Sequence, residues 1–234
     1  LNIFRYFGLS IHSSTDSIPS RKEKCLTVWS IAALVFQTIL MSFVLVLIGI
    51  SAANVYFKVL RLFLIWTAFG SCLLIQILII TQRKHEVKFW DLAERIEKIY
   101  GHFEDVRRFN RMINMKIWLC LLAIGPIQAF VLVKTLIEED KEAAVTMVIS
   151  IIPMLILWLF TLKFIYYVDA LNFILQRITQ KMKTTLDLKE FSKCYTLCWR
   201  MSRTIEDIFG WGLVATYFLS ISTTLHNGYF ICAG

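Results

Sequence analysis

Apolar residues run without an Asp, Glu, Lys or Arg in five long stretches: Cys25–Ala53, Leu62–Gln82, Ile117–Val133, Ala143–Leu162 and Ile208–Gly234. Crossing a hydrocarbon layer of about 30 Å takes roughly 20 apolar residues at about 1.5 Å each. Each stretch therefore predicts a membrane helix, the first and last long enough to tilt or overhang. Beyond the second stretch the pattern changes. Phe89, Leu92, Ile96, Ile99, Phe103 and Val106 recur at helical steps, with Lys88, Asp91, Glu94, Arg95, Glu97 and Lys98 on the other faces. Beyond the fourth stretch, Phe164, Tyr167, Leu171, Ile174, Ile178 and Met182 continue a similar stripe. Asp187 and Glu190 then have capping-box spacing for a new helix. That helix carries Leu188, Phe191, Tyr195, Cys198, Ile205 and Ile208 directly into the fifth stretch. The predicted fold class is all-α, a polytopic membrane helix bundle. It comprises a tail at 1–24, spans at 25–53, 62–82, 117–133, 143–162 and 208–234, and helical extensions at 83–116 and 163–207.

The charge distribution sets an orientation. The tail holds four Lys or Arg, the 83–116 connection nine and the 163–207 connection eight, whereas Asn54–Arg61 and Lys134–Glu142 hold two each. Twenty-one basic residues on one side against four on the other place the N-terminus and both long connections in the cytosol. The net charge of +8 is therefore a topology signal first; it also favours anionic lipids of the inner leaflet. Residues 1–20 have no apolar core of a cleavable signal peptide, and the sequence has no Asn-x-Ser/Thr acceptor.

With 57% hydrophobic residues, 18% charged and a mean hydropathy of +0.63, the chain lacks the polar surface of a soluble enzyme or a nucleic-acid binder. Catalysis has nothing to work with either. There is no His-Glu-x-x-His, no Gly-rich phosphate loop and no Cys-x-x-Cys, and the spans hold no acid, Lys or Arg. No enzyme activity, cofactor or metal is expected. Cys194 and Cys198 share a helix face on the cytosolic side, but two ligands are too few for a metal, and reduced structural thiols are the expectation.

The polar residues within the spans are mild: Gln37, Ser42, Ser71, Gln76, Gln128 and Ser150 suit hydrogen bonds between helices. Gly125-Pro126 and Pro153 predict bends. In the fifth span Gly212, Thr216, Ser220, Thr224 and Gly228 recur every four residues, a small face for close helix packing or for a ligand beside Ser220, Thr223 and Thr224. The candidate ligand site lies in the outer half of the bundle. There Trp66, Phe69, Gln128, Phe130, Ser150, Thr224, His226 and Tyr229, with Phe63 and Met147 nearby, offer aromatic walls and a few polar groups. Such a lining suits a small uncharged organic molecule. The competing reading makes Trp66 and Tyr229 interfacial anchors and lets His226 face headgroups.

The arrangement resembles the insect gustatory receptor family. The resemblance rests on Tyr6-Phe7-Gly8-Leu9 in the tail, the very short outer loops and the long helical inner connections. Ile205-Glu206-Asp207-Ile208-Phe209-Gly210, leading into Trp211–Tyr229, is similar to the start of that family's fifth membrane helix. The resemblance implies a seven-helix subunit of a tetrameric, ligand-gated, non-selective cation channel, assembled from like or unlike receptor subunits. A tastant would bind in the outer half, the cytosolic helices would help join subunits, and the seventh helix would line the pore. The family's signature, Thr-Tyr followed by Gln-Phe, belongs to that seventh helix. This chain begins at Leu1 and ends after its fifth span, so it is expected to be part of a longer receptor and not to conduct alone.

Three competing classes stand beside this reading. The related insect odorant receptors share the inverted topology. A G-protein-coupled receptor would place its N-terminus outside, against the charge split, and the inner ends of spans three and four lack an Asp/Glu-Arg-Tyr triplet. A membrane assembly protein without a ligand is the third.

Overall fold

The computed structural model describes residues 21–50, 55–100, 141–182 and 188–233, together with Gln82 at a turn and Met115, Lys116, Trp118, Leu119, Leu122, Pro126 and Val133 as helical positions. Over 141–152 and 226–233, among others, the backbone alone is described. Among the described residues five helices have defined bounds: α1 (Arg21–Ile50), α2 (Val55–Thr81), α3 (Arg83–Tyr100), α4 (Lys141–Met182) and α5 (Leu188–Ala233). There is no strand among the described residues. In an apolar medium a helix satisfies its backbone donors and acceptors internally, so long apolar runs adopt it.

The predicted first, second, fourth and fifth spans fall on α1, α2, α4 and α5, whereas most of Ile117–Val133 lies outside the described residues. Within the described residues, Pro153–Gln180 and Leu188–Leu225 are long and apolar enough to cross a membrane. Ile65–Thr81 and Arg83–Ile99 form a further apolar pair bent by 57°. α4 has 42 residues and α5 has 46. At about 1.5 Å per residue each is roughly twice the thickness of a bilayer core, so both must project well beyond it. Pro153 is buried within α4 without ending it.

The bend between α2 and α3 occurs at Gln82. Its N–H still donates to the Leu78 carbonyl (2.8 Å), while its own carbonyl accepts from the N–H groups of His85 (2.9 Å) and Glu86 (3.4 Å). The hydrogen-bond ladder restarts there, and α3 leaves in a new direction. α3 buries Phe89, Leu92 and Ile96 and exposes the surface pair Glu94–Lys98.

α5 is the central element and packs along α2, α3 and α4; α1 lies outside, mainly against α2. The seam on the first half of α5 departs from the predicted one: Cys194 replaces Tyr195, and Met201 joins it. Cys194, Cys198, Met201, Ile205 and Ile208 are buried, at steps of four, three, four and three, while Tyr195 is 59% exposed. Helical phase explains the correction: Cys194 keeps step with Cys198, and Tyr195 lies about 100° further round. Ile99, within the first predicted stripe, and Met182 and Leu188, at the ends of the others, are also exposed, while Phe103 and Val106 lie outside the described residues.

α1 is apolar outside and polar inside. Val28, Trp29, Val35, Phe36, Ile39, Phe43 and Val46 are exposed, and the buried side chains are Ser30 and Gln37. Water would penalise so large an apolar face, whereas lipid welcomes it.

Two helices approach closely at Gly212 of α5. A Cβ built there would lie 2.2 Å from Cζ of Phe160 on α4, whose ring is itself buried. Gly212→Val is expected to cost about 1–3 kcal/mol through overpacking. Thermal unfolding of the purified protein in detergent checks this, and Phe160→Leu in the same chain should return part of the loss.

Candidate functional site

The predicted ligand residues meet different surroundings. Trp66 on α2 is 58% exposed. Phe69, one turn on, is buried with Ile65 against Leu40, Leu62 and Leu73. Thr224 on α5 is exposed, and its hydroxyl donates to the Ser220 carbonyl (2.9 Å). Gln128 and Phe130 lie outside the described residues, as do the side chains of Ser150, His226 and Tyr229. Phe63 is exposed, and the side chain of Met147 is likewise outside the description.

The small-residue stripe of α5 winds around the helix. Gly212 is buried, Thr216 is half-buried with its hydroxyl on the Gly212 carbonyl (2.8 Å), and Ser220 and Thr224 are exposed; the surroundings of Gly228 are not described. A step of four residues overshoots a helical turn by about 40°, so the stripe leaves the interior within three steps.

The densest polar chemistry lies below the bend, where no site was predicted. The Lys163 ammonium of α4 and the Glu86 carboxylate of α3 form a salt bridge with both side chains only 3% exposed. Aromatic rings wall it in. Tyr167 lies under the ammonium (5.9 Å to the ring centroid) and packs on Phe89 (4.7 Å), Trp90 (5.7 Å) and Phe209 of α5 (5.2 Å). Phe209 in turn meets Phe160 at 5.3 Å and Phe164 at 5.5 Å. Three helices thus converge on one ion pair.

Half-exposed contacts surround this centre. Nδ1 of His85 lies 3.4 Å from Oδ2 of Asp207, linking α3 to α5, without the alignment of a hydrogen bond. Lys116 pairs with Asp169 at 2.8 Å, tying the residue before the predicted third span to α4. Further along α4, Asn172, Leu175, Gln176, Thr179 and Gln180 line an open groove of about 330 Å³. The sequence did carry a signal for the ion pair. Glu86 and Lys163 stand just past the ends of predicted spans two and four, on the same side of the membrane and with opposite charge.

The chain matches the family model of the 7tm chemosensory receptors over residues 1–233. It belongs to that family. No curated protein and no solved structure matches it significantly. Chemosensory receptors are receptors and not enzymes, and membership carries a chemoreceptor role, a multi-pass membrane setting and small-molecule ligands. The lipid-suited outer face of α1 and the apolar lengths of α4 and α5 agree with that setting.

In this chemosensory receptor, Glu86→Gln or Lys163→Met would each strand one buried charge, at an expected cost of about 3–5 kcal/mol. Replacing both residues by Leu should recover most of it, because no charge then remains to desolvate. Thermal unfolding of the two single variants and the double variant checks this.

Proposed function

We propose that this chemosensory receptor is a taste receptor, a subunit of a ligand-gated, non-selective cation channel. The observation that carries the reading is the family match over residues 1–233, together with the resemblance of the tail and the fifth-span region to gustatory receptors. The receptor sits in the plasma membrane with its N-terminus in the cytosol, and the twenty-one to four charge split supports that orientation. The spans are those bounded at 25–53, 62–82, 117–133, 143–162 and 208–234.

A small, uncharged tastant binds in the outer half of the bundle, at a site drawing on Trp66, Gln128, Phe130, Ser150, Thr224, His226 and Tyr229. Phe69, buried behind Trp66, supports that wall from within. The subunits form a tetramer, homomeric or heteromeric. Leu188, Tyr195 and Trp199, which stay exposed on the first half of α5, support contact between copies or with related receptors.

The test begins with sequencing the transcript on both sides of this chain and expressing the full open reading frame. Tastant-evoked cation currents that persist when G-protein signalling is blocked are expected. Responses abolished by that block would overturn the channel reading in favour of a coupled receptor, and no tastant response would leave an assembly protein. An epitope at the N-terminus should bind antibody only after the cells are permeabilised; labelling of intact cells would reverse the orientation.

A further inference from the structure

Gln76 of α2 is only 2% exposed, and neither atom of its side-chain amide has a hydrogen-bond partner. An amide removed from water without a partner costs about 1–3 kcal/mol, and nearby lipid offers nothing to offset it. The register of the α1–α2 hairpin shows what surrounds it. Cys72 Sγ donates to Gln37 Oε1 (3.2 Å), and Leu40 packs on Ile65 and Phe69. The helices are therefore antiparallel, each step forward on α1 meeting one step back on α2.

Continued by one turn, that register sets Gln76 opposite Ala33. A methyl group can neither donate nor accept a hydrogen bond, and Ala33 itself is only half-buried. On α1 the neighbours of Ala33, three residues before and four after, are Ser30 and Gln37, both 3% exposed. Those are the buried polar side chains of α1; its Thr38 and Ser42 are exposed and donate to carbonyls of their own helix. Hydroxyl and amide groups from two helices thus stand around the smallest residue of the seam. A buried water needs two to four polar partners, and here a donor and an acceptor of Gln76 meet polar groups on both sides.

We propose that the α1–α2 seam is a water-binding site, in which ordered water bridges the Gln76 amide to Ser30 and Gln37. The hairpin is then held by one direct rung, Cys72–Gln37, and one hydrated rung beside it.

The test uses the full chain in lipid nanodiscs with its glutamine side-chain amides labelled with nitrogen-15, and water-edited solid-state NMR. The chain has six glutamines, so the Gln76 signal is identified by its loss in Gln76→Leu. Its amide is expected to receive magnetisation from water at the short transfer times seen for exposed Gln176 and Gln180. Ala33→Val, which sets a bulkier apolar side chain opposite the amide, should abolish that transfer while leaving Gln176 and Gln180 unchanged. A Gln76 amide that stays dark at those times, or one that Ala33→Val leaves unchanged, would overturn the site. Thermal unfolding gives an independent sign: Gln76→Leu should lower Tm if the amide is hydrated, and a raised Tm would mean that a dry, orphaned amide had been removed.

Discussion

An ammonium and a carboxylate withdrawn from water and walled in by aromatic rings can exist only as a pair. Each ion alone would carry a desolvation penalty of several kcal/mol, which its partner's field and hydrogen bond must offset. Lys163 and Glu86 come from helices separated by a large part of the chain, so this requirement is a constraint on tertiary structure. α3 has to fold back against α4 far enough to deliver its carboxylate. The restart of the backbone ladder at Gln82 makes that turn without a proline, and Phe89, Trp90 and Tyr167 close over the result. α5 is then clamped against α4 by Phe209, whose ring meets Tyr167 and Phe164.

Away from that centre the balance of forces is of a different kind. In lipid, apolar side chains gain little by leaving the surface, and close packing with satisfied polar groups carries helix association. Gly212 under the Phe160 ring shows the first requirement. The Ser71 hydroxyl on the Ala215 carbonyl (3.2 Å) and the Cys72–Gln37 contact show the second. The outward apolar face of α1 follows from the same rule: Gln37 finds its partner inside, while the exposed Thr38 and Ser42 donate to carbonyls of their own helix.

Much of the fold is legible in residue pattern alone, because runs of apolar residues leave the backbone no alternative to helix. The uninterrupted passage of α5 from its amphipathic half into its apolar half could be read in this way. Phase was harder. Tyr195 and Cys194 are both plausible core residues by hydropathy, and only the packing against α4 and α3 decides for the thiol. The ion pair escaped for a physical reason: charges at the edge of a span were taken as markers of orientation, and Lys163 serves that role and a structural one. The ligand site is least legible. Side chains as far apart in sequence as Trp66 and Thr224 share a site only if helix rotation allows it, and rotation is set by contacts that hydropathy does not encode.

The position of the aromatic centre along the long helices has a mechanical meaning. Lys163 and Tyr167 stand near the middle of α4, Phe209 stands near the middle of α5, and the α2–α3 bend lies at the same level. A rigid rod gripped at its midpoint behaves as a balanced lever. With arms of about 30–35 Å, a tilt of about 5° swings each end by about 3 Å, in opposite directions. Displacement at one face of the membrane would thus reappear, undiminished and inverted, at the far tips of α4 and α5. A stiff crossing of this kind transmits movement through the bilayer without any helix having to slide along its axis.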